Sequence, residues 1–129
     1  MQEGQSVMKR AMMQIYAKNS AEAWDFYKKA FPNAIETCCY KNDDGSIGHA
    51  EMTLFGYVIA MAQWDKASTG NAMQFCFHFD EHEKQNITLA YEILKEDGQI
   101  LNPLGDSCGY SPYQFALTDK YGVNWCLFI

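Results

Sequence analysis

Apolar residues along this chain switch between two periods, and the switches mark its elements. Met12 to Ala17 is a short apolar stretch that reads as a first strand and ends at Lys18-Asn19. Asn19, with Glu22 three residues later, has the form of a capping box, so a helix is predicted from Ser20. Ala23, Trp24, Tyr27, Ala30 and Phe31 recur at helical spacing until Pro32-Asn33 stops the run. Three strand-like pieces follow: Ile35 to Tyr40, Ile47 to Phe55 and Tyr57 to Trp64, separated by the turns Asn42-Asp43-Asp44-Gly45 and Gly56. After a loop at Asp65 to Asn71, Met73 to Asp80 alternates strictly, with Phe75, Phe77 and Phe79 on one face and Gln74, Cys76 and His78 on the other. Ile87, Ala90, Tyr91 and Leu94 carry a second helical stripe, which Gly98 is placed to cap. Gln99 to Leu101, Tyr113 to Leu117 and Asn124 to Ile129 read as three more strands, with a Gly, Pro and Ser-rich loop from Asn102 to Pro112.

The order strand, helix, three strands therefore occurs twice, and Leu54 to Ala60 aligns with Lys120 to Cys126 about the two turn glycines Gly56 and Gly122. A half of this kind cannot cover its own sheet, so the two must pack together. The expected fold class is α+β: paired βαβββ modules forming curled mixed sheets, with helices on the convex side and a cleft on the concave side. One domain is expected over residues 9–129, in halves of about 11–64 and 73–129, behind a flexible arm at residues 1–8.

Composition narrows the function classes. The 129 residues are 48% hydrophobic, 15% aromatic and 20% charged, which suits a globular domain rather than a disordered tail. Ten Lys+Arg against sixteen Asp+Glu give a net charge of -6, which disfavours nucleic acid and anionic membrane surfaces as partners. Apolar runs fall short of a membrane span. Five cysteines, Cys38, Cys39, Cys76, Cys108 and Cys126, show no CxxC spacing, and with no apolar leader before them a reducing cytoplasm is expected.

Four stretches carry a resemblance: Ala23 to Phe31, Ile47 to Met52 with its His-Ala-Glu, Gly56 to Met61, and Thr118 to Trp125. They resemble the PhnB-like proteins, also described as resembling a 3-demethylubiquinone 3-methyltransferase domain, within the glyoxalase/bleomycin resistance/dioxygenase (vicinal oxygen chelate) superfamily. The resemblance covers about Lys9 to Ile129 and implies a ligand cleft and a cytoplasmic homodimer. It further implies four cleft positions that hold a metal in the superfamily's metal-dependent enzymes. In this chain those positions fall at Met12 (or Gln14, if the frame is two residues off), Ala60, Gln74 and Cys126. Met and Ala cannot supply the three or more good donors that a divalent ion needs. No metal site and no cofactor are therefore expected.

Candidate chemistry rests on a few side chains. His49 and Glu51 share one face of the third strand, with Cα atoms roughly 6 to 7 Å apart, where an imidazole and a carboxylate can orient one another or exchange a proton with a ligand. They are the candidate catalytic pair; the alternative is a pair that only shapes the strand. Trp64, Gln74, Cys76, His78, Tyr113 and Cys126 are candidate ligand-binding residues. Tyr110, Trp125 and Phe128 join Trp64 and Tyr113 as possible walls of an aromatic cleft, though any of these aromatics can equally serve the core, as Cys126 can. Cys38 and Cys39 face opposite sides of their strand and cannot jointly bind a metal, so neither is assigned a role. His82 belongs to a solvated helix start.

The preferred function is binding of a small organic molecule by a metal-free PhnB-like homodimer. A metal-dependent lyase or isomerase of the same superfamily and an antibiotic-sequestering protein are the alternatives. The methyltransferase label is disfavoured because no GxGxxG-like turn follows a strand.

Overall fold

In the computed structural model, residues 8–129 are described except 69, 71 and 108. The expected arm therefore lies outside the described residues apart from exposed Met8, as does Cys108. The first half comprises β1 (Met12–Ala17), α1 (Ser20–Ala30), β2 (Ile35–Lys41), β3 (Ile47–Leu54) and β4 (Tyr57–Gln63). The second half repeats it as β5 (Phe75–His78), α2 (Lys84–Leu94), β6 (Gln99–Ser107), β7 (Ser111–Thr118) and β8 (Asn124–Phe128). Each half forms one four-stranded mixed sheet, ordered β1-β4-β3-β2 and β5-β8-β7-β6, in which the first strand runs parallel to the last. This is the paired βαβββ architecture that the pattern predicts.

Alternation along each strand decides what faces the helices. Ile15 and Ala17 of β1, Ala50, Met52 and Leu54 of β3, and Ile59 and Met61 of β4 are buried beneath α1, whose predicted stripe of Ala23, Trp24, Tyr27, Ala30 and Phe31 is fully buried. Phe115 and Leu117 of β7 meet Ile87, Ala90, Tyr91 and Leu94 of α2 in the same way. A buried cluster joins the halves: Tyr27 of α1 and Phe31, which caps its C-terminus, lie against Trp125 of β8 with ring centroids 5.5 and 5.3 Å apart. Both pairs are tilted, at 54° and 45°, and so avoid the disfavoured face-to-face sandwich.

Three local expectations are corrected. Asn19 precedes α1 but makes no side-chain cap, and Glu22 instead accepts a hydrogen bond from the Tyr121 hydroxyl at 2.7 Å. Gln63, at the end of β4, does the capping: its Oε1 accepts from the Ser20 amide at 3.2 Å and the Ser20 hydroxyl at 2.6 Å, while its Nε2 donates to the Lys18 carbonyl. The loop expected from Asn102 is strand through Ser107. Bulges at three places along β6 break its alternation, and as an edge strand it tolerates Pro103. Finally, α2 ends before Lys95, and the left-handed residue after it is Asp97 (φ 54°), not Gly98.

Candidate functional site

The helix-free faces of the two sheets carry the residues opposite in phase to the core. On the first sheet these include Gln14, Ala60, Glu51 and Cys38, which run level across β1, β4, β3 and β2 because Gln14 pairs with Ala60, Ala60 with Glu51, and Glu51 with Cys38. Alternation alone would place Thr37 opposite Glu51. A bulge between Glu36 and Cys38 inserts one residue and brings the thiol there instead.

Glu51 is the electrostatic centre of this row. Arg10 donates to it through both guanidinium branches, at 2.6 and 3.2 Å, and Nε2 of His49 lies 2.7 Å from its Oε2. The Arg10 hydrogen bonds, and then the His49 contact, hold the Glu51 carboxyl ionised with its pKa lowered to about 2. An ionised carboxylate only accepts, so in the neutral His49 ring Nε2 carries the proton and Nδ1 keeps its lone pair. The predicted pair thus forms, and Arg10 and Cys38 join it. Neither was legible in sequence: Arg10 lies 41 residues from Glu51, and the bulge that aims Cys38 has no clear local signature.

Further along the same face, Tyr16 and Trp64 are about half exposed and meet edge to face with centroids 5.7 Å apart. Trp64 is therefore available as a ligand wall, and Tyr16 beside it went unread. Exposed Met12 and Met73 border a cavity of about 430 Å³ between β1 and the segment leading into β5.

The second sheet gathers Gln74, Cys76, His78 and Cys126. The Cys76 thiol donates to Oε1 of Gln74 at 3.2 Å, and His78 stacks on Phe128 with centroids 4.4 Å apart and planes within 9°. Cys76 and His78 line a second cavity, of about 350 Å³, with Met13, Phe55 and Tyr57. Cys126 is the cross-strand partner of Cys76 and lies 4.0 Å from the Tyr110 hydroxyl. Burial, and then the neighbouring Cys76, push the Cys126 thiol up, which keeps it protonated and poorly nucleophilic at neutral pH. Tyr113 lies elsewhere: its hydroxyl shares a hydrogen bond with Thr88 of α2 and Lys84 sits over its ring, so it faces the helix rather than the open face. Trp125 is fully buried, its indole donating to Asp119 at 2.9 Å, and belongs to the core.

The superfamily metal positions can be tested against this register. Gln14, not Met12, is level with Ala60, and Cys76, not Gln74, is level with Cys126. Ala60 has no donor, Gln14 offers a neutral amide, and Cys76 and Cys126 offer only soft thiols. That donor set does not fit a hard divalent ion.

No protein-family model matches this chain, and neither does any curated protein. Two copies of a βαβββ unit, each with its own helix and four-stranded mixed sheet, define the fold, and solved structures share it over nearly their full length. A PhnB protein from Bacillus cereus, named as a candidate 3-demethylubiquinone-9 3-methyltransferase, is 26% identical with a TM-score of 0.73, over 93% of this chain and 98% of that one. Protein PA1353 from Pseudomonas aeruginosa is 16% identical with a TM-score of 0.77, over 94% and 97%. The fosfomycin resistance protein FosX from Listeria monocytogenes is 13% identical with a TM-score of 0.70, over 95% and 94%. This chain has the fold of the glyoxalase/bleomycin resistance/dioxygenase (vicinal oxygen chelate) superfamily, and the Bacillus cereus structure agrees with its PhnB-like resemblance.

Proposed function

We propose that the protein binds a small organic molecule, neutral or cationic, on the helix-free face of its first sheet. The observation that carries this is the combination of an ionised, positively braced carboxylate and two half-exposed aromatics on one face: Glu51 with Arg10 and His49, and Tyr16 with Trp64. An apolar wall with a few convergent polar groups is the usual form of a small-ligand site. Within it, Nδ1 of His49 is the group able to accept a proton from the ligand, and Glu51 is the group that fixes the ring and stabilises its charged form. The reading needs no metal at the superfamily's four positions. It favours no methyltransferase, since the described residues form no doubly wound nucleotide-binding unit.

A screen of aromatic and heteroaromatic amines by thermal shift is expected to find stabilising ligands, because a molecule that binds only the folded state raises the melting temperature. Trp64→Ala should weaken such a ligand by about tenfold or more, in line with one aromatic contact, while leaving the melting temperature of the free protein nearly unchanged because Trp64 is half exposed. Unchanged affinity in Trp64→Ala would refute the site.

The reading includes a homodimer in the cytoplasm. Among the described residues no helix is long and apolar enough to cross a membrane. Tyr16, Tyr40, Tyr57, Trp64, Met73 and Tyr110 are all more than half exposed, and a second copy of the chain would cover part of this surface. Sedimentation at micromolar concentration is expected to give twice the 14.7 kDa chain mass; a monomer there would contradict the dimer.

A further inference from the structure

We propose that Cys38, His49 and Glu51 form a binding site for a thiophilic divalent cation of the zinc class, on β2 and β3 and apart from the four superfamily positions. One ligand atom from each of the three lies within 4.8 Å of the other two. A tetrahedral ion with bonds of about 2.0 to 2.3 Å holds its ligand atoms roughly 3.3 to 3.8 Å apart, so side-chain adjustments alone would close the set. Thiolate, imidazole and carboxylate together select zinc or cobalt over magnesium or calcium, which prefer all-oxygen shells.

The backbone builds this convergence. His49 and Glu51 are two residues apart on one face of β3, and the bulge in β2 sets Cys38, rather than Thr37, opposite Glu51. Bulges commonly re-aim a side chain next to a functional site. The bulge is further tied down by the Thr37 hydroxyl, which donates to the Glu51 carbonyl at 3.3 Å. Glu51 is buried while Cys38 and His49 are partly open, so a fourth coordination position would face solvent on the helix-free face, as catalytic rather than structural zinc sites do.

Binding needs one covalent adjustment and one exchange of partners. The Cys38 thiol gives its proton to solvent as its sulfur bonds the ion; His49 ligates as the neutral ring and Glu51 is already ionised. The ion takes the place of Arg10 as the positive partner of Glu51. Half-exposed Arg10 can then swing into water. The proposal does not depend on the small-molecule reading, since its test involves no organic ligand.

Titration of the reduced, chelator-treated protein with Co²⁺ is expected to give one equivalent of four-coordinate cobalt, seen as visible d–d bands with a near-ultraviolet thiolate-to-cobalt band. Cys38→Ser should abolish the thiolate band and Cys76→Ser should leave it intact. His49→Ala and Glu51→Gln should each weaken Co²⁺ by about tenfold or more, and Arg10→Met should tighten it by removing the competing cation. Should Cys38→Ser fail to fold, the His49→Ala and Arg10→Met titrations decide alone, since their expected shifts are opposite in sign. Absence of stoichiometric binding, or a thiolate band that survives Cys38→Ser or disappears in Cys76→Ser, would overturn the site.

Discussion

Asp119→Ala is expected to destabilise the protein by about 3 to 5 kcal/mol, lowering its melting temperature by roughly 10 to 15 °C. Asp119 is buried and accepts four hydrogen bonds: from the Tyr27 hydroxyl at 2.6 Å, the Trp125 indole at 2.9 Å, and the Tyr121 and Val123 amides at 2.8 and 3.0 Å. Two of these donors belong to fully buried aromatic side chains that meet each other in the core joining the halves. Removing the acceptor strands an indole N–H and a phenol O–H where water cannot reach, at about 1 to 3 kcal/mol each, and unpins the turn into β8. Asp119→Asn should be nearly as harmful despite its matching shape, because either orientation of the amide turns an NH₂ toward N–H donors. Tyr27→Phe removes one bond and leaves Asp119 three donors, so it should cost only about 1 to 2 kcal/mol. Urea unfolding of the three variants checks the order; equal losses for Tyr27→Phe and Asp119→Ala would show that the carboxylate is not the hub.

This hub explains why the stretch Thr118 to Trp125 carries so much of the family resemblance without containing a candidate catalytic group. Thr118 donates to Asn124 at 2.7 Å, and Asn124 in turn donates to the carbonyls of Gly70 and Met73, so the motif ties β7, β8 and the approach to β5 into one knot. It is scaffold for the second half. Its partner Tyr27 could be read in the sequence only as one residue of a helical stripe, because the bond spans 92 positions.

The same division runs through the rest of the chain. Strands with clean alternation and helices with a regular stripe were legible, since burial on one face repeats at the period of the element. β6 was not, because bulges destroy its period while leaving its backbone paired. The His49 and Glu51 pairing was legible because i and i+2 on a strand share a face. Arg10, Cys38, Tyr16 and the capping by Gln63 come from contacts between distant segments, and nothing in their immediate neighbours encodes them.

Gly98 shows how a correct residue can be read for the wrong reason, and it supports the second large prediction. As a C-cap it would need a left-handed φ, yet Asp97 takes that conformation, at 54°. What requires glycine at 98 is space: a Cβ there would lie 2.6 Å from the Thr118 carbonyl oxygen and 3.2 Å from the Asp119 Cα, both backbone atoms of the knot. No rotamer relieves such a clash, so Gly98→Ala must push β6 away from the end of β7, at a cost of about 2 to 3 kcal/mol, as overpacked sites show. Gly45 is the control. Its φ of 86° disfavours alanine, but open space surrounds it, so Gly45→Ala should cost only about 1 to 2 kcal/mol of backbone strain. The two sites also differ in reach. Displacing Thr118 and Asp119 disturbs the Trp125 environment, so Gly98→Ala should alter near-ultraviolet circular dichroism in the native state, whereas Gly45→Ala, in the exposed β2–β3 turn, should not. A Gly98→Ala variant with native near-ultraviolet dichroism and a stability loss no greater than that of Gly45→Ala would show that the backbones at 98 and 118–119 are not in close contact.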